Sequence, residues 1–221
     1  MLKELLLYIH IAAGFSALVA ALIAAFNKMF DLTHSWHVYS GRVFLAGMII
    51  IFLTAVTIAL MTGDVFLLLV SIFSVYLALS GWSYARNRQG TPAPLDWLRA
   101  FGMAAASLVM ALYGADLLIS GDTNGVTMLV FSSIGGSLSI SDLKIQYAGG
   151  VTGKERIIRH LAMMLAGLTA TVTAFLVVNF TFDPVFVLWL APTVLITPVI
   201  MIWSTKIRKE AMPRGIPRDS V

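Results

Sequence analysis

The chain has 221 residues, of which 59% are hydrophobic and 12% charged, with a net charge of +4 and no cysteine. So few ionisable groups cannot solvate the surface of a water-soluble globule; the composition is that of a membrane protein. Disulfides, thiolate metal sites and iron–sulfur clusters are excluded outright. The basic excess lies beside the ends of apolar runs, where orientation and anionic lipid account for it, and no nucleic-acid role is expected.

Runs able to cross a bilayer as helices of about 20 residues fall in chain order at 5–26, 38–61, 65–85, 101–119, 126–140, 157–180 and 184–207. The first exceeds the apolar core of a signal peptide and is expected to remain as a span. In it, His10, Gly14, Ala17 and Ala21 share a stripe, which predicts close approach of a neighbouring helix and an inward His10. By depth, Tyr8, Tyr113 and Asn179 are its expected hydrogen-bond partners. The second run opens on His37 and Arg42, while His34 before it is expected in an exposed loop.

The third carries Tyr76, Ser80 and Tyr84 at spacings of four, a pattern expected of helix–helix contacts. Asp96 reads as the N-cap of the fourth, with Trp97 as an interfacial anchor; Trp36, Trp82, Trp189 and Trp203 also lie towards span ends and read as belt residues. The fifth is the least apolar and the weakest span, with Ser132 and Gly136, and Ser133 and Ser137, at close-packing spacing. In the sixth, His160, Met164, Gly167 and Thr171 form a stripe. Pro192 and Pro198 shape the seventh.

The charges orient the runs. Lys28, Arg42, Arg86, Arg88, Arg99, Lys144, Lys154, Arg156, Arg159, Lys206, Arg208, Lys209, Arg214 and Arg218 all fall on one side of the alternation. Glu4, Asp64, Asp116, Asp122 and Asp183 take the other, with Lys3 as its one basic residue. The positive-inside rule then predicts one all-α domain of seven transmembrane helices over 1–221, N-terminus outside and C-terminus cytoplasmic.

Ionisable residues at membrane depth are costly, and so are functional candidates. His37 with Arg42, Asp142, and Arg159 with His160 reach the same leaflet by this topology. Two imidazoles can ligate haem iron or, with a carboxylate, a divalent metal, which makes His37, Asp142 and His160 the candidate metal ligands. Arg42 and Arg159 would hold haem propionates, a phosphate or a quinone oxygen, and the same groups can relay protons. The plainer reading pairs Asp142 with Arg159 or Lys144 and leaves both histidines as helix-end caps. His10 has no second histidine in its leaflet, so it is a ligand only with a partner chain and otherwise a core histidine.

His10, the stretch HVYSGR over 37–42, the run FSVYLALSGW, and SDL at 141–143 followed by RHLAMMLAGLTATVTAFLVVN from Arg159 are similar to a family of predicted bacterial multi-pass inner-membrane proteins of unassigned function. The resemblance covers most of the chain. It implies a plasma-membrane location and marks His10, His37, Asp142, Arg159 and His160 as positions to suspect. Members often read His-Arg at the start of the second span; here Val38 follows His37, leaving Arg42 to serve. A looser likeness to b-type cytochrome bundles is analogy.

Three functional classes follow. A redox or metal-binding protein, holding haem b, quinone or a divalent metal, ranks narrowly first. A proton-coupled permease would need a polar route from His10 to His37 and His160. A non-catalytic subunit or assembly factor would show an apolar lateral face for a membrane-protein partner or a second copy. The sequence does not decide whether the protein is an enzyme.

Overall fold

A computed structural model describes residues 1–30 and 32–209. Seven helices account for nearly all of them, with no strand among the described residues: α1 Leu2–Met29, α2 His34–Thr62, α3 Val65–Arg86, α4 Pro94–Ile119, α5 Asn124–Tyr147, α6 Gly153–Asn179 and α7 Phe186–Lys209. Each is long and apolar enough to cross a membrane. Even α3, the shortest at 22 residues, rises about 33 Å, against a hydrocarbon core of roughly 30 Å. The protein is an integral, multi-pass membrane protein. Arg214 and Arg218, part of the orienting charge, lie outside the described residues.

Local chemistry sets the helix ends. Gly63, at φ 70°, closes α2 in the left-handed conformation that glycine adopts most cheaply, and Asp64 then caps α3 by accepting from the Leu67 N–H at 2.9 Å. Asp96 is not the N-cap of α4. Pro94 takes the first turn, and Asp96 sits inside it, its Oδ2 accepting from the Ala93 N–H at 2.8 Å. The fifth span runs well past 140, so Asp142 stands within a helix rather than at its edge.

Short connections pair α1 with α2 and α4 with α5, while α3 packs on α6 and α6 on α7. The most apolar stretch of α3 is 50% buried and that of α7 only 11%, which places α3 at the centre and α7 on the flank. Small residues let the pairs close. A Cβ on Gly47 would sit 2.8 Å from the Ala17 Cβ, and one on Gly114 would sit 2.8 Å from the Met128 Cβ. Two expectations shift here: Gly14 has nothing within 4 Å, and the tight glycines of α5 are Gly125 and Gly135 rather than Gly136.

The aromatic belt also needs correction at Trp189. It is buried and packs edge-on against Phe66 and Phe131, 5.0 and 6.3 Å between ring centres, filling the space between α3, α5 and α7. Trp36 is exposed as expected. Trp82 lies under the Arg86 guanidinium at 5.5 Å, a contact suited to the interface.

Candidate functional site

The charged end of the bundle holds three polar clusters, the first two separated by the face of α3. The first centres on Asp142, whose side chain is only 5% exposed. Tyr76 and Tyr84 each donate a phenolic O–H to it at 2.7 Å, one to each carboxylate oxygen. Arg159 stands 3.9 Å from Oδ1 and donates to the Ser141 hydroxyl. The tyrosine stripe is thus more than helix–helix contact. Tyr76 and Tyr84 leave α3 about 80° apart at 3.6 residues per turn, near enough for both rings to turn onto one carboxylate.

The second cluster is the histidine pair. His37 bonds the Ala24 carbonyl at 3.0 Å and His160 the Gly81 carbonyl at 2.8 Å, both through Nδ1. A carbonyl only accepts, so each Nδ1 carries a proton, and in the neutral ring Nε2 is the atom that presents a lone pair. The rings are edge to face with centres 6.3 Å apart. Main-chain anchoring of Nδ1 is the outer-shell arrangement that orients a metal-binding imidazole.

Asp142 does not join this pair, and the expected three-ligand set is corrected: among the described residues no group of three His, Asp or Glu side chains is placed to hold a metal ion. The cause is helical geometry. Arg159 and His160 are consecutive, so their side chains leave α6 about 100° apart; one turns to Asp142 on α5, the other to α3 and α2. Nor do the arginines sit beside the imidazoles as propionate holders. Arg42 follows His37 by five residues, about 140° around α2, and is exposed. Arg159 is occupied by Ser141 and Asp142.

A third layer, unforeseen in the sequence, lies beside the first. Asp96 accepts from Ser83 at 2.6 Å and pairs with Arg99, while Gln146 donates to its main-chain carbonyl at 3.1 Å. Arg156 donates to the carbonyls of Tyr84 and Ala85, satisfying the C-terminal end of α3. The spacing of Asp142 and Gln146, one turn apart on α5, was the available signal.

His10 is remote from all of this. Its Nδ1 lies 2.9 Å from the Thr54 hydroxyl, not from Tyr8, Tyr113 or Asn179. Thr54 spends its own proton on the Ile50 and Ile51 carbonyls at 2.8 and 3.0 Å, so His10 is the donor. Between this pair and His37, Ala17, Ala20, Ala21, Phe44 and Met48 form a buried apolar layer with Leu165 and Leu168. His34 opens α2 and is exposed. No protein-family model, curated protein or solved structure matches this chain, so the clusters are interpreted from their own chemistry.

Proposed function

We propose that the protein is a proton-coupled membrane carrier in which Asp142 is the proton-binding group. The observation that carries this reading is a carboxylate buried within a transmembrane helix and held by two phenols and a guanidinium. Such a group is costly to bury and characteristic of proton and substrate pathways. Its partners suit a two-state role: Arg159 and both hydroxyls stabilise the ionised form, and protonation would release Arg159 to move or to bind an anionic solute. The continuous polar route from His10 to His37 and His160 expected of a permease is interrupted here by the apolar layer of Ala17, Ala20, Ala21, Phe44 and Met48, so the reading rests on Asp142 and its partners alone.

The test is proton uptake into liposomes containing the purified protein, driven by a potassium diffusion potential and followed with a trapped pH dye. Uptake above protein-free liposomes is expected for the wild type and its loss for Asp142→Asn. Uptake equal to the protein-free control, or unchanged in the variant, would overturn the reading.

The histidine pair supports a second reading, a redox or metal-binding role with His37 and His160 as ligands through Nε2. Bound iron or copper would supply one-electron transfer. The arginine positions favour a metal ion over a haem. An absorption spectrum and metal analysis of wild type and His160→Ala decide it: a stoichiometric metal lost in the variant supports the site, and its absence from both preparations removes it.

The same proposal sets the orientation, with the N-terminus outside and the C-terminus in the cytoplasm, supported by the segregation of basic residues. A reporter fused after Val221 that functions only in the cytoplasm should give signal. Signal from an externally active reporter at that position would invert the topology.

A further inference from the structure

Beside Asp142 lies a small cavity of about 30 Å³, walled by Ser83, Tyr84, Asp96, Arg99, Asp142 and Gln146. Two of its buried wall groups have no partner among the described residues: the Arg99 Nε–H and the Gln146 Oε1. Gln146 is only 8% exposed. Its amide nitrogen is fixed on the Asp96 carbonyl, which leaves its oxygen as an unused acceptor. Burying a donor and an acceptor unpaired is costly, and a pocket that walls in both is shaped for a molecule that satisfies them.

The walls define that molecule. The Arg99 guanidinium opposes a cation, and the Asp96 and Asp142 carboxylates oppose an anion. The ligand must accept from Arg99 and donate to Gln146, and at about 10–15 Å³ of probe volume per water the cavity admits about two waters and nothing much larger. We propose that this is a water-binding site, in which ordered water bridges Arg99 Nε and Gln146 Oε1 and joins the Asp96 and Asp142 clusters into one hydrogen-bonded chain.

The mouth of the site is formed by the α3–α4 and α5–α6 connections. Gly90 and Gly150 meet there with φ of 82° and 103°, and a Cβ on Gly150 would collide with the Gly90 carbonyl oxygen. Asn87 fixes the first loop, donating to the Thr91 carbonyl at 2.7 Å and accepting from the Gly90 N–H at 3.0 Å. Water held in this cavity lies on the charged-end side of the apolar layer and reaches Asp142 without crossing it. The site therefore serves as the proton entry to Asp142; that role rests on the carrier reading, whereas the water site itself does not.

The absence of cysteine gives single-cysteine variants of the full chain no background. In lipid nanodiscs, silver ion, a thiol probe close to water in size, is added from the side of the C-terminus, and unreacted thiol is counted with maleimide after unfolding. Gln146→Cys should react at least about tenfold faster than Ser139→Cys, a fully buried position on the same helix away from the cavity, because a thiol in dry surroundings ionises poorly. Equal inertness of the two variants would overturn the site. A high-resolution experimental map of the unaltered chain tests it without any substitution: water density bonded to both Arg99 Nε and Gln146 Oε1 is expected, and finding both atoms bonded to protein instead would overturn it. If Gln146→Cys does not fold, the map decides alone. A hydrated site in a chain that moves no protons would leave the water site standing and remove the carrier function.

Discussion

The two ends of the bundle handle buried polar groups in different ways. At the end opposite the basic residues, one imidazole on α1 meets one hydroxyl on α2, and both sit in a seam of alanines. At the basic end, α3, α4, α5 and α6 each contribute to a carboxylate-centred network that still leaves a donor and an acceptor unpaired. That pair commits His10 Nδ1 and the Thr54 hydroxyl to each other and the hydroxyl proton to the main chain, and it reads as structure. A network with unused hydrogen-bonding groups around a cavity holds chemistry in reserve, and its loss should cost far more.

The largest effect expected from this contrast is at Asp142. Asp142→Ala would leave two buried phenols without their acceptor and the Arg159 guanidinium with the Ser141 hydroxyl alone. Breaking a buried charged pair from one side typically costs about 3–5 kcal/mol, so the thermal midpoint in detergent should fall steeply. Asp142→Asn keeps an acceptor for one hydroxyl and should cost roughly 1–3 kcal/mol, the penalty of a lost hydrogen bond to a charged group. An alanine variant as stable as wild type would mean that the network is loosely held and the two ends are alike.

Next in size is the seam. A side chain at Gly47 would press its Cβ to 2.8 Å of the Ala17 Cβ and 3.2 Å of the Ala13 carbonyl, whereas one at Gly14 meets nothing. Gly47→Val should therefore destabilise by about 1–3 kcal/mol through overpacking. Gly14→Ala should be neutral or slightly stabilising, since alanine is the better helix former by up to about 1 kcal/mol. Thermal midpoints of the two variants side by side check this, and equal losses would show that the helix approach lies along Gly14 after all.

Those glycines illustrate what the sequence could and could not convey. Seven apolar runs are visible because the bilayer demands length and hydrophobicity of each span separately, a local property. Helix faces are also local, so the inward His10 and the stripe of Tyr76, Ser80 and Tyr84 could be found by counting residues. Which helix lies opposite is a matter of tertiary packing, and there the reading of 1D spacing failed. Asp142 looked like a third ligand for His37 and His160 because all three share a depth, but α3 stands between them and offers tyrosines instead. Apart from the one-turn spacing of Gln146 from Asp142, nothing linked Asp96, Arg99 and Gln146, since they come together only when α4 folds against α5. Trp189 was misplaced for the same reason: its distance from the span end was legible, the Phe66 and Phe131 rings beside it were not.

The smallest effect concerns the quiet end. His10 donates to a Thr54 hydroxyl whose own proton is already committed to the Ile50 and Ile51 carbonyls. Thr54→Val keeps the shape and removes the acceptor, leaving an imidazole N–H unpaired, while His10→Ala removes the donor and opens a small gap in the seam. Interhelical hydrogen bonds of this kind within membranes average about 0.6 kcal/mol and seldom exceed about 1.7. A double-mutant cycle on thermal stability should return a coupling in that range, with proton uptake unchanged in all three variants, because the apolar layer isolates the pair from Asp142. A coupling above it, or a loss of uptake in Thr54→Val, would make His10 part of a pathway that spans both ends and would erase the distinction between them.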